Sequence, residues 1–455
     1  MGPAREAAAE APGRLRQVGF LPLLALFYAF TASGPFGYEE IFRTSGPGMA
    51  VLFLATVPFV WSIPVSLAAA ELNSLLPVQG GFYRWVRAAF GDFWGFLCGW
   101  WNWSGTFLLN TTYGVLFMDY LANYLPTRGR LAHWVGASLV LLLFAWLNAR
   151  GIQIAGWVGV ALQAAILVPV VWLCVAAVLH WQGNPLVPFV PPERPLLSVF
   201  GAGLALAMWN YAGYEQLSVI VDEMRDAQRT FLRVLFWNTP LNILTYTLPA
   251  TLALAALQNW QSWQTGYIVE AARLVGGQWL GLAMLVASVL GVASLANSTI
   301  LYTTRIPAAM AEDGYLPAWL ARIHPRYGTP SRAILLSAVI YCLLAGARVV
   351  ELVNVYIWTR IATTLLTVLA AWQLRRKWPD VPRRFQVPGG RLGLAYVVLP
   401  PAALCLLKLS SSEPYVFRWA PWLLATGPAA YVLLRWVFKL KPTRQRYSAP
   451  LNVSG

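Results

Sequence analysis

Residues 31–40 read TASGPFGYEE, and they lie inside an apolar run, 18–43, long enough to cross a bilayer. A helix in hydrocarbon must satisfy its own backbone, and a break at that depth is tolerated only where the chain is buried in protein or borders a cavity. This stretch nevertheless carries two glycines, a proline without an amide and two adjacent glutamates. A second run has the same character: residues 201–224, GAGLALAMWNYAGYEQLSVIVDEM, hold Asn210, Gly213, Glu215 and Gln216 in their middle.

The rest of the chain supplies the membrane context. Of its 455 residues, 58% are hydrophobic and 11% charged, with a mean hydropathy of +0.56; soluble domains carry about 25% charged residues. Apolar runs of about 20 residues recur throughout, so an all-α polytopic membrane protein is expected. The count is about twelve transmembrane helices, near 18–43, 47–71, 93–124, 131–148, 153–179, 197–221, 232–257, 278–303, 332–348, 351–374, 393–410 and 418–438. The broken spans are then the first and the sixth, five spans apart. Inverted repeats place discontinuous helices at corresponding positions, with a site between them.

The net charge of +15 does not point to nucleic acid. Most of the basic residues fall in alternate connections, which orients the chain with both termini in the cytoplasm by the positive-inside rule. The bilayer is the expected partner. Residues 1–13 read as a cytoplasmic N-terminal tail, 14–440 as the transmembrane domain, and 441–455 as a cytoplasmic C-terminal tail. The four cysteines stand singly with no metal spacing. The three histidines lie in no ligand motif. No metal, cofactor or enzymatic cluster is expected.

Longer motifs resemble a family. AELNSLLPVQGGFYRWVRAAFGDFWGFLCGW (70–100), VDEMRDAQRTF (221–231), RIPAAMAEDGYLPAWLARIHPRYGTP (305–330) and RRFQVPGG (383–390) are similar, in order and place, to motifs of the amino acid–polyamine–organocation permeases. SGPFGYEE, WSIP and LFMDYL look most like its polyamine and L-type amino acid branch. The resemblance implies a LeuT-type fold of two inverted five-helix repeats (about 18–179 and 197–374) plus two extra helices (about 393–438), with helices 1 and 6 discontinuous. It implies a permease of the plasma (inner) membrane moving amino acids or polyamines by alternating access with proton coupling. Alternatives are a neutral amino acid exchanger without proton coupling, or an amino acid sensor on the same fold.

A broken helix offers bare amides to an anion and bare carbonyls to a cation. Ser33, Gly34 and Gly37 permit the first break, and Pro35 removes one amide, which weakens carboxylate binding. Arg43 is within helical reach of both Glu39 and Glu40; one acid pairs with it and the other is free. The resemblance places the site acid at Glu39. In the second break Trp209, Asn210, Tyr211, Tyr214 and Glu215 surround Gly213; the aromatic stripe serves either packing or an ammonium. A carboxylate at Glu215 matches the related polyamine permeases, where it would hold the ammonium. Asn110 and Tyr113 share a face of span three and serve either as interhelical glue or, by the resemblance, the site. Val65 and Leu109 replace acids common in the polyamine type, which favours a substrate with fewer positive charges.

Where many relatives have a coupling lysine, NARGIQIAG (148–156) puts Gln153. Proton coupling would therefore fall to Glu39 or Glu215. The alternative is sodium held by Ser294, Asn297, Ser298 and Thr299. Glu71, Asp119, Glu223, Arg229 and Arg305 are expected in gate networks. Arg360, mid-span, requires a carboxylate or backbone partner.

Overall fold

The computed structural model describes residues 17–122, 129–192, 196–264, 266–346, 349–410 and 414–442. Most of both tails lies outside the described residues, as does the Asp119 side chain. The described chain is helical, without a strand beyond one bridge between Val18 and Met224.

Every expected span falls on a helix or helix pair. The first is α1 (Phe20–Thr31) with α2 (Glu39–Ser45), and the second is α3 (Pro47–Val60) with α4 (Ser62–Leu75). A buried amphipathic helix, α5 (Gly81–Phe90), precedes α6 (Asp92–Ala122), α7 (Arg130–Ala149) and α8 (Ile152–Leu179). The sixth span is α9 (Leu196–Asn210) followed by a 3₁₀ segment, Tyr214–Glu223. Then come α10 (Ala227–Leu257), α11 (Tyr267–Glu312), α12 (Ser331–Leu344), α13 (Val349–Lys377), α14 (Gly390–Ser410) and α15 (Pro414–Val432). Among the described residues, six stretches are long and apolar enough to cross a membrane by length and composition alone.

The outer faces are apolar because lipid replaces water as their solvent. On α8, Val168, Val171 and Val175 are exposed while Ile166, Val170, Leu173 and Ala177 are buried, which divides the helix into a lipid stripe and a core stripe. The core stripe approaches α1 closely through small residues. A Cβ on Gly156 would lie 2.9 Å from Pro22, and one on Gly159 would lie 3.3 Å from Leu26.

Two boundaries differ from expectation. The second span bends at Trp61, which joins α3 to α4. Helix α11 begins at Tyr267 and ends at Glu312, well outside 278–303. Its first turns form an arm that bends at Gly277 (φ 79°). Its last turns continue through Arg305 because that side chain is neutralised by Glu223 rather than by water.

Candidate functional site

Both interrupted spans break where the glycines predict. Ser33 (φ 55°), Gly34 (φ 103°) and Gly37 (φ 79°) adopt left-handed backbone between α1 and α2, and Gly213 (φ 106°) does so between α9 and the 3₁₀ segment. The Ser33 hydroxyl donates to the Gly291 carbonyl of α11 (2.8 Å). Gln163 donates to Ser294 (2.7 Å), and its amide lies 3.5 Å from the Ser33 hydroxyl. These bonds tie the first break to α8 and α11.

Between the two breaks lies a cavity of about 50 Å³. Its wall comes from Phe30, Thr31 and Phe36 of the first span and Trp209, Asn210 and Gly213 of the sixth, with Leu109 and Tyr113 of α6 opposite. Tyr246, Leu295 and Tyr356 complete it from α10, α11 and α13. Among the described residues, no charged side chain borders it. The carboxyl ends of α1 and α9 both border it, through Thr31, Ala32 and Asn210, and a helix carboxyl end favours a cation. The Tyr246 hydroxyl donates toward the Thr31 and Ala32 carbonyls (3.4 and 3.2 Å). Thr31 is itself held by amide donors from Asn238 and Asn242 (3.0 and 2.8 Å).

Of the expected site residues, Tyr113, Trp209, Asn210 and Gly213 reach the cavity wall. Gly37 lies against its rim, where a Cβ would stand 3.5 Å from the Trp209 ring. Ser33 and Gly34 shape the break without bordering the space. Asn110 turns aside and donates to the Thr106 carbonyl (3.1 Å), so Leu109 rather than Asn110 shares the wall with Tyr113. Tyr214 packs edge-on to Phe27 and accepts from Asn242 (2.7 Å).

The two acids occupy different surroundings. Glu39 is fully buried at the start of α2 and accepts from the Gly266 amide (3.2 Å), at the arm of α11. Its second oxygen has no hydrogen-bond partner, and no cation contacts it among the described residues. The Glu40–Arg43 pair expected from spacing does not form; Arg43 is exposed. Glu215 forms an ion pair with Arg360, which answers the question of that arginine's partner. Thr364 donates to the same carboxylate oxygen (3.3 Å).

The four residues named for sodium are all buried on α11. Ser294 accepts from Gln163, Ser298 donates back to the Ser294 carbonyl (2.8 Å), and Asn297 accepts from Asn148 (3.0 Å). The buried Thr299 hydroxyl alone lacks a partner in this set. Gln153 is exposed and donates to the Gln17 carbonyl. The amide that reaches the break is Gln163.

Two groups of contacts close the ends. At one, the Phe42 and Trp263 rings meet at a tilt, 4.6 Å between centroids, one turn after Glu39. At the other, Arg305 pairs with Glu223 (3.0 Å) and Glu71 with Arg375 (2.8 Å). There too Arg84 and Arg87 contact Asp313 (3.0 and 3.3 Å), and Tyr83 donates to it (2.6 Å). Arg87 also pairs with Asp92 (2.8 Å). Burial works against the Asp92 charge, yet Tyr315 and Arg87 together hold its carboxyl below the usual range. Arg229 is exposed and outside these ties.

A family model described as amino acid permease matches residues 22–427. The chain is 30% identical over 411 residues to a probable polyamine transporter of Arabidopsis thaliana, covering 89% of this chain and 81% of that one. A second probable polyamine transporter of that plant is 32% identical over 423 residues, covering 91% and 86%. A polyamine transporter of Oryza sativa subsp. japonica is 30% identical over 447 residues, covering 96% and 82%.

Proposed function

The chain belongs to the amino acid permease family, and we propose that it is a secondary transporter carrying an amine-bearing solute, an amino acid or a polyamine, by alternating access. One observation carries this reading: the carboxyl ends of two interrupted helices meet at an uncharged, aromatic-lined cavity. A helix carboxyl end attracts an ammonium. A ring face such as Trp209 or Tyr113 adds about 0.5–2 kcal/mol to its binding. The names of the similar plant proteins agree with a cationic group in the cargo.

Alternating access follows from the closed ends. A cavity of about 50 Å³ is far below the roughly 300–1,000 Å³ of small-molecule sites, so its walls must separate for a solute to reach it. The spans that break, first and sixth, are those that two inverted repeats of five helices (18–179 and 197–374) would place at equivalent positions. The helices over 393–438 then stand outside the repeats. The distribution of basic residues supports a plasma (inner) membrane protein with both termini in the cytoplasm.

Proton coupling is assigned to Glu39. Glu215 is held by a fixed cation, whereas Glu39 has none and keeps one oxygen free. Its bond to Gly266 would let protonation loosen α2 from the α11 arm. The test is uptake of radiolabelled leucine, arginine and spermidine into proteoliposomes, with and without an imposed pH gradient. Uptake should rise with an inward proton gradient, and Glu39→Gln should remove that dependence while substrate binding persists. Absence of uptake or exchange of any amine-bearing solute would sink the transporter reading. Dependence on sodium alone would remove the proton from Glu39.

A further inference from the structure

Two other buried arginine–carboxylate pairs of this protein, Arg305–Glu223 and Arg375–Glu71, are saturated. Arg305 presents Nε and Nη2 to the two oxygens of Glu223 (3.0 and 3.4 Å), and its Nη1 donates to the Leu301 carbonyl (3.1 Å). Arg375 binds both oxygens of Glu71 and spends further donors on the Gly390 and Val387 carbonyls. Pairs of this kind hold elements together and leave nothing over.

The Arg360–Glu215 pair is different. Its side chains are 5% and 1% exposed, so water does not complete them. Yet Nε and Nη1 of Arg360, and Oε2 of Glu215, have no hydrogen-bond partner. Buried polar groups left open are costly and uncommon. The pair also adjoins the cavity. Tyr356, one helical turn before Arg360 on α13, borders it, as do Ala212 and Gly213 just before Glu215. Among the described residues no charged side chain borders the cavity itself, and this pair brings fixed charge next to its lining residues Tyr356 and Gly213.

Spare guanidinium donors beside a spare carboxylate oxygen match the two ends of a zwitterion: a carboxylate for the first and an ammonium for the second. The charges of Glu215 and Arg360 cancel, so a solute of zero net charge adds none to the membrane interior, whereas a polyamine adds several. Resting on the transporter reading, we infer that Arg360 is the fixed cation of the substrate site. It sets the site to zero net charge and makes a zwitterionic amino acid, rather than a polyamine, the preferred cargo.

The test compares leucine, lysine and spermidine uptake into proteoliposomes by the wild type, Arg360→Gln, Glu215→Gln and the double variant. The wild type should take leucine in preference to spermidine. The lysine-to-leucine ratio should rise at least about tenfold in Arg360→Gln, a floor set below what one uncompensated charge in the membrane interior would give. It should fall in Glu215→Gln and return toward wild type in the double variant, whose site is again neutral. These ratios report charge, which a merely structural role for the pair would leave unmoved. If Arg360→Gln fails to fold, the fall in Glu215→Gln and the recovery in the double variant decide the matter. A ratio indifferent to the variants, or a wild type that prefers spermidine, overturns the inference while transport itself stands. A folded wild type that moves none of the three solutes overturns the transporter reading, and this inference with it.

Discussion

Gly213 sits at φ 106° with the Phe30 ring where its side chain would be: a Cβ there would come within 2.4 Å. A left-handed backbone costs an L-residue about 1–2 kcal/mol, and the clash adds to that by displacing a ring of the cavity wall. Gly213→Ala should therefore lower transport by more than about tenfold, because Phe30, Trp209 and the end of α9 share one small space. Uptake per folded molecule, with folding checked by size-exclusion chromatography, reads the effect. Unchanged uptake would mean that this break can relax without moving the wall. Pro35 acts in the opposite sense, since its missing amide leaves the first break poorer in donors while the carbonyl ends remain. On the proposed reading the breaks thus provide better for an ammonium than for a carboxylate, which leaves the carboxylate to Arg360.

At the scale of elements, α11 is the helix whose extent the sequence concealed. Arg305, expected in a gate network, and Asp313 lie beyond the apolar run 278–303, yet both are buried at the end of this helix, because Glu223 and the arginines Arg84 and Arg87 reach them from distant segments. Hydropathy sees the residue and not its partner. The spans themselves were legible, since apolar length suffices to locate them, and both breaks were legible from glycine and proline. The cavity wall was legible only in part. Phe30, Tyr246, Leu295 and Tyr356 are ordinary packing residues within their own helices, and only their convergence distinguishes them. Asn110 shows the converse: polar and at a suitable spacing, it bonds to its own helix. The Arg305–Glu223 tie gives this scale its prediction. Its side chains are 0% and 1% exposed, so Arg305→Met alone leaves a buried uncompensated carboxylate and should cost about 3–5 kcal/mol. The double variant Arg305→Met with Glu223→Gln should recover most of that loss. Thermal unfolding in detergent compares them; equal losses in the single and double variants would show that the pair's charge is not what matters.

For the whole molecule, the same cavity is sealed by contacts of different kinds at its two ends. On the side of the α11 arm, the tilted Phe42 and Trp263 rings meet and the Gly266 amide donates to Glu39. On the other, the segment before α1 is stitched to the end of the sixth span. The Val18 amide donates to the Glu223 carbonyl (2.9 Å), and the Arg225 amide donates to the Val18 carbonyl (3.0 Å). Alternating access requires this second seal to part once in every cycle, carrying the start of α1 away from the 3₁₀ segment. Val18 and Met224 are bridge partners, a separation that a disulfide can span. None of the four native cysteines is paired, so cysteines at these two positions provide a defined lock. Oxidation of Val18→Cys/Met224→Cys should stop net uptake and thiol reduction should restore it, while a substrate analogue still binds from the arm side. Uptake that continues after complete cross-linking would mean that the solute leaves without opening this end, which no alternating-access cycle permits.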